Sequence, residues 1–225
     1  MPSTNDSVKI ALSANRISTY EQAKGVTKLG LTLPLSLDKA LELYAWNAQV
    51  SAAFLHPLHI CEVVVRNGVA NTIEAVYGPN WPWSAAFIRS LPNPPSGYSM
   101  RRDLISARNG ETTAGKVIPE LKFAFWQRMF TGRNDLRLWV PLLRQYFPLF
   151  PTAMDPAACR TWMFNALDRV RALRNRIAHH EPIFARNLVD DFDVVSALIA
   201  RRCPDTAGWM KEHQQVSSLL AKPPI

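Results

Sequence analysis

The stretch from Asp155 to Pro182, DPAACRTWMFNALDRVRALRNRIAHHEP, decides the fold. Asp155 is a residue type that caps a helix through its side-chain oxygen. The proline after it suits the first helical position, where its missing N–H is not needed. At about 100° per residue, Met163, Ala166, Leu167, Val170, Leu173 and Ile177 fall on one apolar stripe. The spacing predicts a helix from Asp155-Pro156 to about His179, with Pro182 as its stop.

The same signals recur on both sides of it. Asn187 caps a helix running to about Arg202, and Pro204-Asp205 opens a last short one. Toward the amino terminus, Ser13 caps a helix to about Lys24 with Gly25 as its stop, and Leu29–Pro34 is a short connection. Ser36 precedes a longer helix with Leu37, Leu41, Tyr44, Ala48 and Ser51 on one face. Pro57 interrupts that pattern, and a second long helix runs from about Leu58 to Tyr77, ended by Gly78-Pro79. Trp81-Pro82-Trp83 follows, then a loop at 92–97 whose three prolines and glycine exclude a regular element. Residues 100–150 read as shorter helices: Met100 to about Arg108, about Ala114 to Lys122, Phe123 to Phe130 and Leu136 to Tyr146. With no internal repeat, low-complexity tract or convincing strand run, the expected class is all-α. One domain over 1–225 is expected, with a group of shorter helices inserted at about 81–150.

Composition narrows the function classes. The chain has 225 residues, 48% hydrophobic and 20% charged, a balance of folded rather than disordered proteins. No stretch approaches the roughly 18 uninterrupted apolar residues of a membrane span. The start, Met1 to Asp6, lacks a charged region followed by an apolar one, so no secretory signal is expected. Cys61, Cys159 and Cys203 are scattered and odd in number, which points to small core residues and a reducing cytosol rather than a disulfide framework. Lys plus Arg number 26 against 18 acidic residues, a net charge of +8. Eighteen of the 26 are arginine, whose fork matches two phosphate oxygens at once. Residues 100–144 hold the largest surplus, nine basic against four acidic. A polyanion, most commonly nucleic acid, is the partner this implies; a merely basic protein is the plain alternative. The aromatics interleaved there (Phe123, Phe125, Trp126, Phe130, Trp139, Tyr146, Phe147, Phe150) are read as core, with a stacking platform for single-stranded RNA as the other option. Trp81 and Trp83 are read as anchors for their loop.

The chemistry sits at the end of the deciding helix. Arg171, Asn175 and His179, four apart, form a polar ridge, and Arg174 stands at the edge of the apolar stripe. RNA carries its own nucleophile, the 2′-OH beside each phosphate. Cleavage needs a base for that proton, an acid for the leaving 5′ oxygen, and cations for the charge growing on phosphorus. Histidine serves as base or acid, and arginine supplies fixed charge and bidentate contacts. No metal or other cofactor is needed, and the products are a 2′,3′-cyclic phosphate and a 5′-OH. His179 and His180 diverge by about 100° on a helix, so a second histidine comes most simply from another copy of the chain.

The string Arg174-Asn175-Arg176-Ile177-Ala178-His179 resembles the arginine, four to six residues, histidine motif of HEPN ribonucleases. The longer run Leu173 to Ile183 is similar to the Abi-like (abortive infection) family of bacterial phage-resistance proteins. Leu43-Tyr44-Ala45-Trp46-Asn47 with Glu62-Val63-Val64-Val65-Arg66-Asn67 resembles that family's amino-terminal signature. Tyr77-Gly78-Pro79-Asn80-Trp81 and Leu121-Lys122-Phe123-Ala124-Phe125-Trp126 resemble its middle, so the likeness covers about residues 10–210. The resemblance implies a HEPN-type helical bundle, a homodimer with a composite site, and a toxin-like cytoplasmic ribonuclease of antiviral defence held back by an RNA or protein antitoxin. It makes Arg174 and His179 the essential pair, with Asn175 beside them and His180 as second choice.

Other residues keep two readings. Glu62, Arg66 and Asn67, with Glu181, either orient the catalytic pair or hold helices together. Arg171, Arg176, Arg101 and Arg102 are candidate RNA contacts. His56, His59 and Cys61 invite a metal, but Pro57 between the histidines and the absence of a second ligand pair argue against one. Arg174 and His179 themselves also fit a non-catalytic module that binds RNA or a protein partner, or that sequesters a host target.

Overall fold

Asp155 and Pro156 start the deciding helix as their chemistry predicts. In the computed structural model, which describes residues 3–26 and 32–224, Asp155 Oδ1 accepts the Ala158 N–H at 2.8 Å. The helix runs Pro156–Ala178, and the whole predicted stripe from Met163 to Ile177 is buried. The class is all-α, as expected: twelve helices, α1 to α12, follow one another through the described residues. The chain divides into two compact units, which it crosses between within continuous helices.

The first unit comprises Met1–His56, Arg176–Val189 and Gln214–Ile225. Its first helix, α1 (Thr4–Leu12), was not anticipated. Ser3 and Asp6 close a capping box at its start, Ser3 Oγ accepting from the Asp6 N–H. Ser13 ends α1 in a left-handed conformation, φ 71°, and its hydroxyl caps α2 (Ala14–Glu21). The helix expected from Ser13 to Lys24 thus begins on time but stops early. Lys24–Val26 (β1) instead pairs antiparallel with Thr32–Pro34 (β2), Gly25 opposite Leu33. This hairpin corrects the expectation of no strands. Of the expected connection Leu29–Pro34, residues 29–31 lie outside the described residues. Ile17, Tyr20, Ala40 and Leu43 make this unit's core, against which Tyr44, Trp46 and Phe184 pack. The Trp46 indole donates to the Leu219 carbonyl at 3.1 Å, tying down α12 (Val216–Leu220).

The second correction concerns Pro57. The two helices expected around it are one, α3, Leu37–Tyr77. A proline inside a helix removes a hydrogen bond and costs about 3 kcal/mol. Phe54, Leu58 and Cys61, all buried, bracket it and hold the helix in register. An 18-residue window of α3 has a mean hydropathy of 1.3, so by length and composition it is able to cross a bilayer. Buried positions spaced three or four residues apart run along its length: Ala40, Leu43, Asn47, Val50, Phe54, Leu58, Cys61, Val65, Val69 and Ile73. That is the stripe of a helix facing a protein core.

The second unit comprises Pro57–Asn175 and Asp190–His213. The region 81–150 lies inside it as α4 (Ala85–Ser90), α5 (Met100–Ala107), α6 (Ala114–Glu120), α7 (Phe123–Met129) and α8 (Val140–Tyr146). The expected helix from Leu136 opens as a wide turn, Asp135–Trp139, before α8. After α9 (Pro156–Ala178), the chain continues in α10 (Leu188–Arg202) and α11 (Pro204–His213). Six of the eight aromatics read as core in this region are core, while Phe123 and Tyr146 are half-buried. Phe125, Trp126, Phe130, Trp139, Phe147 and Phe150 are buried, and Phe130 stacks on Trp139 with ring centres 4.3 Å apart. Trp81 is buried edge-on to Phe87 and anchors its loop.

Gly68 lets α3 approach this core. A Cβ there would lie 2.5 Å from Phe147 Cζ and 2.7 Å from Arg202 Nη1. The Phe147 ring is packed edge-on to Phe130 and Trp139 and has little room to move. Gly68→Ala should therefore cost about 1–3 kcal/mol by overpacking, against the helical preference for alanine of about 0.5–1 kcal/mol. A thermal melt checks it; a melting temperature equal to the parent's refutes the close-approach argument.

Candidate functional site

The final turn of α9 closes in a Schellman motif. The Glu181 N–H donates to the Arg176 carbonyl at 2.8 Å and the His180 N–H to the Ile177 carbonyl at 3.0 Å. The residue at the turning point, usually glycine, is His180, at φ 55°. A non-glycine residue in this left-handed region costs about 1–2 kcal/mol, so neighbours must hold it.

Three side chains of the first unit do so. Arg16 Nη1 donates to the His180 carbonyl at 2.7 Å. Arg176 turns back with Nε and Nη2 on the Pro182 carbonyl, at 3.0 and 2.8 Å, and pairs with Glu181 at 3.5 Å. Buried Asn47, on α3, accepts both the Ile183 and Phe184 N–H groups at Oδ1, at 2.8 and 3.1 Å. Arg176 and Glu181 thus shape the turn, a role the sequence did not reveal. Nothing in the local sequence marks Arg16 or Asn47 as a site residue, although Asn47 ends the Leu43-Tyr44-Ala45-Trp46-Asn47 string. A bond between residues 164 positions apart leaves no local pattern to read.

This turn separates the two histidines. His179 ends the helix, exposed to solvent. His180 lies past it and lines a pocket of about 390 Å³ with Tyr20, Tyr44, Asn47 and Ser51. Burial pushes the Tyr20 hydroxyl up to about 12, with Tyr44 adding to the effect, so it stays a neutral donor. Since glycine meets no Cβ penalty at φ 55°, His180→Gly should raise stability by about 0.5–1 kcal/mol. Chemical denaturation measures it, and a lower midpoint would show that the imidazole supports the fold.

The other candidates lie on the second unit's stretches of α9 and α3. Arg174 and Asn175 are exposed, and the side chain of neither makes a hydrogen bond or ion pair within the described residues; the same holds for the His179 side chain. Arg171 is committed: it pairs with Asp168 at 2.8 Å, and Asp168 also accepts from Gln127 at 2.9 Å. Those two bonds hold the Asp168 carboxyl below its ordinary range. Glu62 and Arg66 are half-buried and Asn67 is exposed; their side chains form no hydrogen bond or ion pair with one another or with Arg174, and Arg66 Nε is buried without a partner.

The basic segment 100–144 proves largely self-engaged. Arg101 donates to the Arg89 and Leu91 carbonyls, Arg102 to Gly97, Arg108 to Pro82 and Arg128 to Tyr98. Arg137 reaches the Tyr77 hydroxyl, and Arg144 gathers the carbonyls of Phe150, Pro151, Thr152 and Met154. The arginine excess is in good part a set of clamps on loop and helix-end carbonyls, whose lone pairs need donors where no helix continues. The positive charge remains, but much of the fork geometry is spent on the protein itself.

Cys61 and Cys159 are buried, Cys203 is half-buried, and all three are free thiols. Burial pushes Cys61 up to about 12, which makes it inert as a nucleophile. Among the described residues no group of three His, Cys, Asp or Glu side chains is placed to hold a metal ion. No family model, curated protein or solved structure matches the chain.

Proposed function

We propose that the protein is a metal-independent RNA endonuclease of the HEPN type, acting in the cytoplasm as a homodimer and serving as a toxin-like effector of bacterial anti-phage defence. The observation that carries this reading is the contrast along the end of α9. Arg171 and Arg176 are bound to the protein, whereas the side chains of Arg174, Asn175 and His179 face solvent with no partner among the described residues. Polar groups left unengaged beside ones that are clamped are available to a ligand. Their types, a fixed cation and a proton-transfer group, are those an RNA phosphate needs.

In the proposed reaction the ribose 2′-OH attacks the adjacent phosphorus while its proton passes to a base. The bond from phosphorus to the 5′ oxygen breaks, and that oxygen takes a proton. Arg174 binds the phosphate and offsets the charge that builds on it. His179 moves a proton, and the second histidine comes from the partner copy. Release of an RNA or protein antitoxin would free the enzyme.

A non-catalytic partner-binding module is the second reading. Its support is Leu136 and Val140, four residues apart in sequence and 87% and 54% exposed, apolar side chains that another protein would cover. Incubating RNA with the purified protein in EDTA separates the two. Cleavage leaving 2′,3′-cyclic phosphate and 5′-OH ends supports the enzyme; intact RNA supports the module.

A further inference from the structure

Resting on the ribonuclease reading, we infer that the pocket beside the last turn of α9 receives one unstacked base of the bound RNA. Its position is the first argument. One wall is Ile177, Ala178 and His180, the backbone turn on which both histidines are mounted. A group seated there is fixed against the segment that the proposed chemistry uses. Arg16, bonded to the His180 carbonyl, brings a permanent positive charge to the same turn, where the phosphate of a bound nucleotide gains from it.

The lining supplies the second. Tyr44 and His180 offer rings, with the buried Tyr20 ring packed against Tyr44, and Ala48 and Ala52, four apart on α3, leave the width for a planar guest. Aromatic side chains are the usual partners of splayed-out RNA bases. At about 390 Å³ the space suits a small molecule rather than a helix or strand of a partner.

The polar groups supply the third. Ser51 Oγ is buried without a hydrogen bond among the described residues. Asn47 has spent its oxygen on Ile183 and Phe184, so its amide N–H groups remain as donors. A hydrocarbon guest would leave these groups unsatisfied, whereas the carbonyls and ring nitrogens on a base edge accept from them.

Equilibrium dialysis of the full chain against AMP, UMP and ribose 5-phosphate tests the assignment. At least one mononucleotide should bind, and ribose 5-phosphate should bind at least about tenfold more weakly, because the base supplies the affinity. Ala48→Phe and Ala52→Phe, both at exposed helix positions, should each weaken that binding about tenfold or more with unchanged circular dichroism. Equal binding of ribose 5-phosphate, no mononucleotide binding, or unchanged binding in both filled variants overturns the inference. So does a dimer that both filled variants break while no mononucleotide binds, since the occupant would then be a second copy of the chain. RNA cleavage by the same preparation is scored separately. Mononucleotide binding without cleavage overturns the ribonuclease reading and keeps the pocket; cleavage without mononucleotide binding does the reverse.

Discussion

Arg174→Ala and His179→Ala should each slow RNA cleavage by about 10²–10⁴-fold while leaving the melting temperature where it was. The first half follows from the roles: losing an aimed cation or a positioned proton-transfer group costs about that much. The second half follows from the structure. Both side chains are exposed and neither bonds to any of the described residues, so replacing them removes no contact seen to hold the fold, and stability should stay within about 0.5 kcal/mol of the parent. The neighbouring arginine gives the contrast. Arg176→Ala removes two bonds to the Pro182 carbonyl and the Glu181 pair, so it should lower stability and activity together. Gel-resolved cleavage rates beside thermal melts make the comparison. Full activity in Arg174→Ala and His179→Ala would falsify the proposed mechanism. Activity lost in His180→Gly and kept in His179→Ala would move the proton transfer to the second histidine.

Why the sequence announced some of this and hid the rest comes down to the range of the forces. α9 was legible because its signals are local: Asp155 caps it, Pro156 suits its first turn, and six apolar residues from Met163 to Ile177 repeat at the helical period. The exposure of Arg174, Asn175 and His179 was legible for the same reason, since that stripe fixes which face turns outward. The continuity of α3 was not. Proline is a local breaker, and what overrides it at Pro57 is tertiary burial of Phe54, Leu58 and Cys61. The β1–β2 hairpin has three-residue strands, too short for an alternating pattern. The arginine excess was misleading in a more instructive way. The donor fork that recognises a phosphate also fits a cluster of backbone carbonyls, and only the fold decides which acceptor it meets, as Arg144 demonstrates with four carbonyls.

Asn47 is where that long-range logic has its largest expected consequence for the fold. Its Oδ1 is the acceptor for two backbone N–H groups just past the histidine turn, those of Ile183 and Phe184. Ile183 is fully buried, so water cannot replace the lost partner there without opening the structure. The buried Ile183 donor left unsatisfied costs about 1–3 kcal/mol and the half-buried Phe184 donor less, so Asn47→Ala should destabilise by about 2–4 kcal/mol. For a chain of this size that is a fall of roughly 5–15 °C in melting temperature. Amide hydrogen exchange at Ile183 and Phe184 should speed up before the rest of the chain does, because the clamp fails locally first. Asn47→Asp is the control: a carboxylate accepts the same two N–H bonds, which also favour its charged form, so much of the loss should be recovered at neutral pH. Recovery by Asp is what separates acceptor geometry from mere filling of space, since Asp and Asn have nearly the same volume and Ala does not offer the oxygen. An Asn47→Ala protein within about 0.5 kcal/mol of the parent would show that the turn carrying His179 and His180 holds itself.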